Sequence, residues 1–163
     1  MTLYFKNKFF SFGGGSAVKD ESDKEFYIVK GKVFSARKKK RLCSLDGELI
    51  YRVQNKFFNF FKHSAFIFDK DGNKIATVST KPFNFKKDFI VTGLKDNITI
   101  SGSWLSFTMD IHRNGQVIGS ITREIDLFRD SFKVTADEAD MPLVIALVIA
   151  IDNIIDNKRN RNR

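Results

Sequence analysis

Cysteine is nearly absent from the sequence, since Cys43 is the only one in 163 residues. A single thiol can form neither an internal disulfide nor a cysteine-ligated metal cage, which excludes a secreted disulfide scaffold and a Cys-type zinc fold. The two prolines and ten glycines are too few for a collagenous or low-complexity chain. With 42% hydrophobic and 29% charged residues, the composition is that of one globular domain.

A long hydrophobic run is also missing. The longest one, 143–151, has nine residues, whereas a membrane-spanning helix needs about twenty. Lys6 and Lys8 interrupt the N-terminal segment, and no cleavage site follows, so no signal peptide is expected. The sequence therefore predicts a cytoplasmic protein without transmembrane insertion, for which contact with a membrane would be peripheral.

Phenylalanine, in contrast, is abundant, with 18 residues against one Trp and three Tyr. Aromatic residues favour β-strands. Short alternating segments recur at a spacing of roughly 8–12 residues, separated by turn pairs such as Asp46-Gly47 and Asn114-Gly115. This pattern predicts an antiparallel β-sandwich or barrel. The glycine-rich and polar stretch 13–25 is interpreted as a flexible connection between strands.

The last segment differs in kind, because no polar residue interrupts 143–151. Acidic residues precede this run, and Lys158 and Arg159 follow it, as the dipole of a helix favours. The segment predicts a helix over about 140–156. A helix that is apolar on every side must be buried all round. A β protein that ends in such a helix suggests a barrel with the helix threaded through its middle.

The order of these segments resembles the LURP-one-related family, which shares the tubby C-terminal fold with the phospholipid scramblases. The resemblance covers essentially the whole chain and is most specific in the C-terminal apolar helix. It implies a closed antiparallel barrel of about twelve strands around that helix, while fold alone does not imply an activity. The segments that carry the resemblance are Leu45–Gly47, Tyr51–Lys56, His63–Ile75 and Ala139–Ile154.

We expect one tubby C-terminal-like domain over 1–157 and a disordered basic tail over 158–163. No Gly-x-Ser-x-Gly motif, Walker loop or dinucleotide fingerprint occurs. The sequence therefore predicts neither enzymatic activity nor a bound cofactor, and it carries no signal for an oligomeric state.

Two acidic segments are candidates for metal binding. Asp69–Asn73 superficially resembles a calcium loop, but its glycine is fourth rather than sixth, so we interpret it as a hairpin turn. Asp137, Glu138 and Asp140 lie where a calcium site has been placed in the scramblases. The full acidic motif is missing, and charge at a helix start explains these residues. His63, His112 and Cys43 are interpreted as wall or core residues, and no metal is expected.

Two basic runs are the feature that points to a function. Residues 37–41 carry five positive charges and residues 158–163 carry four, and their sum equals the net charge of +9. Lys86 and Lys87 form a third, smaller cluster. The residues predicted to contact anionic lipid or another polyanion are Arg37, Lys38, Lys39, Lys40, Arg41, Lys86, Lys87, Lys158, Arg159, Arg161 and Arg163.

These clusters leave several interpretations open. The first is a non-catalytic module that binds anionic membrane lipids or phosphoinositide-like headgroups, as tubby relatives do. The second is binding of nucleic acid or another polyanion, which a pI of about 9.7 favours. A third is a scramblase-like role in lipid movement. The remaining interpretation is structural: a solvated edge strand kept from aggregating by its charges, and a polar tail.

Overall fold

The computed structural model of the chain describes residues 1–6, 15–31, 38–56, 63–80, 89–103, 108–126 and 129–161. These residues form twelve β-strands followed by one helix, α1, which spans Met141–Arg161. The strands are β1 (Thr2–Lys6), β2 (Ser16–Lys19), β3 (Glu25–Gly31), β4 (Lys40–Cys43), β5 (Leu49–Asn55), β6 (Ser64–Phe68), β7 (Lys74–Thr80), β8 (Phe89–Thr92), β9 (Ile98–Ser103), β10 (Thr108–Arg113), β11 (Gln116–Asp126) and β12 (Arg129–Ala136).

The strands form one closed antiparallel barrel in which each strand pairs with its neighbours in sequence. The first and last strands close it, with Leu3 opposite Val134 and Phe5 opposite Phe132. Since the ladder is continuous, β4 and β5 each have a hydrogen-bonded strand on both sides. The predicted closed barrel with a C-terminal helix is confirmed.

The helix fills the barrel, as its composition requires. Residues 144–151 are fully buried or nearly so. The wall approaches the helix closely at Gly119, where an added Cβ would lie 2.9 Å from a Val144 methyl carbon. The prediction of a buried central helix is therefore confirmed. Its C-terminal end lies further along than expected, because α1 continues to Arg161, past the predicted domain boundary at residue 157.

Antiparallel order sorts the connections between the two ends of the barrel. The turns after β2, β4, β6, β8 and β10 lie at one end, together with residues 137–140, where the chain enters the helix. These connections are rich in carboxylates, including Asp46, Asp71 and Glu138. On the opposite side, Asp152 and Asn153 of the helix lie at the level where β4 begins and β5 finishes.

The prediction for 13–25 needs a correction, because β2 lies within this stretch. Tyr4 of β1 pairs with Lys19 on one side, and Ser16 pairs with Val29 of β3 on the other. Val18 is the buried side chain of this strand. Four residues with one inward apolar side chain give almost no alternation, and a glycine-rich segment before them favours a loop. The strand is held by its neighbours rather than by its own sequence.

Candidate functional site

The first basic run does not present a uniform charged face. Arg37 lies outside the described residues, and β4 begins at Lys40. Successive side chains of a strand point to opposite faces. Leu42 is fully buried, so Lys40, two residues before it, points into the barrel as well. Lys39 and Arg41 are exposed on the outside.

Lys40 forms an ion pair inside the barrel. Its Nζ lies 3.0 Å from Oδ2 of Asp152 on α1, and the two side chains are only 12% and 3% exposed. The charge of Lys40 thus compensates a buried carboxylate, which would be costly to leave alone in the interior. Lys40, which the sequence predicts to contact a polyanion, is instead paired with Asp152 inside the barrel.

Backbone contacts hold the same segment against the helix. Asn153 donates a hydrogen bond from Nδ2 to the carbonyl oxygen of Lys38 at 2.9 Å. Asn55, at the end of β5, donates from Nδ2 to the carbonyl oxygen of Asn153 at 3.2 Å. Lys38 adopts a positive φ of 45°, which is uncommon for a residue other than glycine. The residues that lead into β4 are therefore fixed to the second half of α1.

The second basic run follows these anchors. Lys158, Arg159 and Arg161 belong to the C-terminal part of α1, a few residues after Asp152 and Asn153. The helix therefore runs from its contact with β4 directly into this run. Lys86, Lys87 and Arg163 lie outside the described residues.

Further cations lie on the outer surface of the barrel, where sequence reasoning did not look for them. Lys30 lies opposite Arg41, and Arg41 lies opposite Arg52. The line continues to Phe68 and then to Lys74. We call Lys30, Arg41, Arg52 and Lys74 the cationic wall. Its members are far apart in sequence, and only the register of five strands, from β3 to β7, brings them into one line.

Two aromatic rings lie among the cations of this wall. The Arg52 guanidinium carbon lies 4.5 Å from the centroid of the Phe68 ring, and the Lys74 ammonium lies 5.2 Å from that of Phe66. The two rings meet edge to face, with centroids 6.3 Å apart. Contacts of this kind fix the positions of long cationic side chains on a surface.

The segment that resembles a calcium loop is a hairpin turn, as predicted. Asp69 accepts hydrogen bonds from the backbone nitrogen and from Nδ2 of Asn73, at 2.8 and 3.0 Å. These bonds, the side-chain bond first, hold the pKa of Asp69 below its usual value. Gly72 has a φ of 89°, which glycine adopts without strain. The carboxylate is thus used within the turn.

Two of the acidic residues before the helix also make contacts nearby. Oδ1 of Asp140 lies 2.7 Å from a guanidinium nitrogen of Arg113, and the carbonyl oxygen of Asp137 accepts a hydrogen bond from the Met141 backbone at 2.9 Å. The first contact connects the barrel wall to the residue before the helix, and the second lies within the turn that leads into it. Within the part of the chain that the structure describes, no group of three or more His, Cys, Asp or Glu residues is arranged to hold a metal ion.

The isolated histidines and the cysteine lie in the wall. Nε2 of His112 lies 2.8 Å from the hydroxyl oxygen of Ser101 on the adjacent strand. His63 is half-buried just before β6, and Cys43 is a buried free thiol at the end of β4. These positions agree with the prediction of wall and core residues.

The length and apolarity needed to cross a bilayer are not combined in any helix of the described residues. Although α1 has 21 residues, its C-terminal third is polar and charged.

Comparisons with known proteins agree with this architecture. The family model described as LURP-one-related matches residues 1–152. The uncharacterized protein YxjI of Bacillus subtilis (strain 168) is 23% identical over 162 residues, which cover 98% of this chain and 97% of YxjI. A protein from Arabidopsis thaliana, solved by X-ray crystallography, superposes with a TM-score of 0.59 at 14% identity, covering 95% of this chain and 90% of the other. The latter likeness shows a shared fold, the tubby C-terminal-like barrel.

Proposed function

The chain belongs to the LURP-one-related family, and from this premise we propose that it is a cytoplasmic, non-catalytic binding module that associates peripherally with anionic membrane lipids. The family match and the relative YxjI indicate no catalytic class. The candidate site likewise consists of charged and hydrogen-bonding groups that suit recognition of an anion.

The observation that carries the proposal is the meeting of the two basic runs. Residues 37–41 and 158–163 are separated by more than a hundred residues in sequence. In the fold, Asn153 bonds to the carbonyl of Lys38, and Asp152 pairs with Lys40. Lys158 follows Asn153 by five residues, or roughly 8 Å of helix at 1.5 Å per residue. The two runs therefore begin from a common anchor.

Such a concentration of charge has an energetic consequence at a membrane. Each Lys or Arg near an anionic surface contributes about 1 kcal/mol of attraction. The acidic turns lie at the opposite end of the barrel, so the protein has a charge asymmetry that would orient it. Several cations acting together support binding at low salt and weakening as salt screens the charges.

Co-sedimentation with vesicles tests the proposal. Wild-type protein should bind phosphatidylcholine vesicles that contain phosphatidylserine, should ignore pure phosphatidylcholine, and should be released by added salt. The test variant replaces Arg37, Lys38, Lys39, Lys158, Arg159, Arg161 and Arg163 with Gln. It keeps Lys40, whose loss would disturb the barrel interior.

The variant should bind vesicles much more weakly than wild type and should still unfold cooperatively, because it keeps the buried pair of Lys40 and Asp152. Failure of the wild type to bind anionic vesicles at low salt would contradict the proposal. Salt-sensitive retention on duplex DNA without vesicle binding would instead support the nucleic-acid interpretation.

A further inference from the structure

We propose that the cationic wall is a headgroup site, in which a phosphate of an anionic bilayer lipid is held between Arg41 and Arg52, with Lys30 and Lys74 on either side. This inference rests on the proposed membrane association and specifies which face of the barrel meets the lipid.

The side chains of the wall point away from the barrel interior. Successive residues of a strand alternate between the two faces of the sheet. Val29, Leu42, Val53 and Ile67 are fully buried within the barrel. Lys30, Arg41 and Arg52 each lie next to one of these residues and therefore point outward. Arg41 and Lys74 are exposed, and Lys30 and Arg52 are half-buried.

Residues of like charge lie opposite one another along this line. Side chains directly opposite each other on antiparallel strands have Cβ atoms about 5 Å apart, and like charges placed there are destabilising. Lys30, Arg41 and Arg52 are three such charges on consecutive strands. Protection of a sheet edge does not account for them, because β3, β4 and β5 lie within a closed barrel that has no edge there.

Two other cations on the barrel surface have carboxylate partners. Arg113 contacts Asp140 at 2.7 Å and Asp96 at 3.3 Å. Lys19 contacts Asp23 and Glu25 at 3.6 and 3.5 Å.

The cationic wall differs from these places. In the structure as described, no carboxylate lies within ion-pair distance of Lys30, Arg41, Arg52 or Lys74. The ammonium of Lys30 extends towards Gly47 in the turn after β4, and Lys74 directly follows the turn after β6. These two outer members therefore lie towards the acidic end, and Arg41 and Arg52 form the centre of the line. Uncompensated cations in close register are suited to an external anion.

Arg52 is held in place by an aromatic ring. Its guanidinium lies over the Phe68 ring, with the central carbon 4.5 Å from the ring centroid. A guanidinium stacked on a ring keeps its N–H donors in its own plane, where they can contact two phosphate oxygens together.

The rings favour lipid over nucleic acid as the source of the phosphate. Single-stranded nucleic acid is usually bound by stacking of bases on exposed aromatic faces. Phe68 and Phe66 already have Arg52 and Lys74 over their rings. Half-buried rings beside cations fit the interface between headgroups and acyl chains instead.

A matched pair of double variants tests the site. Arg41→Gln/Arg52→Gln removes the two central charges, and Lys70→Gln/Lys95→Gln removes two exposed charges from turns at the acidic end. Both variants have the same net charge. With phosphatidylcholine–phosphatidylserine vesicles, we expect the first to bind about tenfold or more weakly than wild type, since each cation near such a surface matters about fivefold. The second should bind nearly as wild type does.

Conservative variants keep the test independent of folding. Arg41→Lys/Arg52→Lys retains both charges but loses the planar fork, and we expect intermediate affinity for the same vesicles. Equal vesicle affinity of the Gln pair at 41 and 52 and the control pair would overturn the headgroup site while leaving the membrane proposal standing. Failure of wild type to bind vesicles would overturn both.

Two soluble probes distinguish other sources of the anion. Inositol hexakisphosphate should compete with vesicles for wild-type protein and should bind the Arg41→Gln/Arg52→Gln variant more weakly. If duplex DNA bound more tightly than the vesicles and depended on Arg41 and Arg52, the site would belong to a nucleic acid and the lipid assignment would be wrong.

Discussion

Lys40 and Arg41 are adjacent in sequence and carry the same charge, yet they lie in opposite environments. The Lys40 ammonium lies inside the barrel, 3.0 Å from the Asp152 carboxylate. Arg41 is exposed on the outside, opposite two further cations. Alternate residues of a basic run on a strand lie on opposite faces, so their charges fall into an inner set and an outer set. The inner set serves the fold, and the outer set remains available for a ligand.

The same division applies to the whole interior and the cationic wall. Inside, α1 is entirely apolar from residue 143 to 151, and polar groups begin only at Asp152 and Asn153, where partners exist. A buried charge must be paired because its desolvation is expensive. Outside, water solvates Arg41 and Arg52 well enough to tolerate their mutual repulsion. Changes to the two regions should therefore differ in size and in sign.

The largest effect should come from a charge placed in the apolar part of the helix. Ala146 is fully buried, and Ala146→Asp would put a carboxylate into the apolar stretch of the helix. The cost of several kcal/mol is comparable to the whole stability of a domain, about 5–15 kcal/mol. We expect no cooperative thermal transition by circular dichroism and little soluble protein.

Ala139→Asp is the matched control, because Ala139 is exposed in the turn before the helix. An added carboxylate there lies near the helix N-terminus, where negative charge is favourable. The control should melt close to the wild-type temperature. Soluble, cooperatively unfolding Ala146→Asp protein would contradict the central-helix architecture.

The next largest effect should follow removal of the buried ammonium. Lys40→Met leaves Asp152 without this partner in the interior, and breaking a buried pair typically costs about 3–5 kcal/mol. Arg41→Met, one residue further on, should change the free energy of unfolding by no more than about 0.5 kcal/mol. Urea unfolding of the two variants measures the difference directly.

A second change tests whether the loss comes from the pair. Lys40→Met/Asp152→Leu removes both charges, and it should recover part of the stability lost in Lys40→Met. Equal losses of unfolding free energy in Lys40→Met and Arg41→Met would mean that the inner and outer charges contribute alike to stability. The division between the two sets would then be wrong.

The sequence was sufficient for the architecture but not for this division. Hairpin spacing and the apolar run predicted the barrel and its helix, since both are local patterns. A run of Lys and Arg, however, favours a uniform solvated surface. The one available signal was alternation: Lys40 is two residues before Leu42 and therefore on the same face. Its partner Asp152 is 112 residues away, and no local pattern connects the two.

The cationic wall could not be predicted from local sequence patterns. Arg52 is a single cation within β5, and nothing in its neighbourhood distinguishes it. It becomes part of a line because β4 and β5 pair with Arg41 opposite Arg52, across a hairpin whose register shifts at Leu42 and Cys43. Such a shift, by one residue, decides which side chains share a face. Propensity and spacing locate a hairpin, but they do not fix a bulge.

A smaller effect, of opposite sign, should come from the outer set. Arg41→Gln/Arg52→Gln removes the repulsion between directly opposite cations, which is worth roughly 0.2–1 kcal/mol for such a pair. The stacking of Arg52 on Phe68 is lost together with it, so the net gain should lie at the low end of this range. We expect the thermal midpoint to be equal to that of wild type or slightly higher. A clear decrease would show that these arginines stabilise the barrel and are not held for a ligand.

The smallest expected effect is the response of the thermal midpoint to salt. Screening weakens the repulsion among Lys30, Arg41 and Arg52, because the Debye length falls to about 10 Å at 0.1 M and about 3 Å at 1 M. The buried pair of Lys40 and Asp152 is shielded from these ions. Wild-type protein should therefore gain more in its thermal midpoint on addition of sodium chloride than Arg41→Gln/Arg52→Gln does.

Lys70→Gln/Lys95→Gln, with the same net charge, should keep at least the wild-type gain, since its lost cations lie beside carboxylates in the acidic turns. Calorimetry across a salt series separates the three proteins by the slope of midpoint against salt, and general salt effects cancel in the difference. Identical slopes would mean that the cations of the wall do not repel one another appreciably, so a bound anion would not be needed to compensate them.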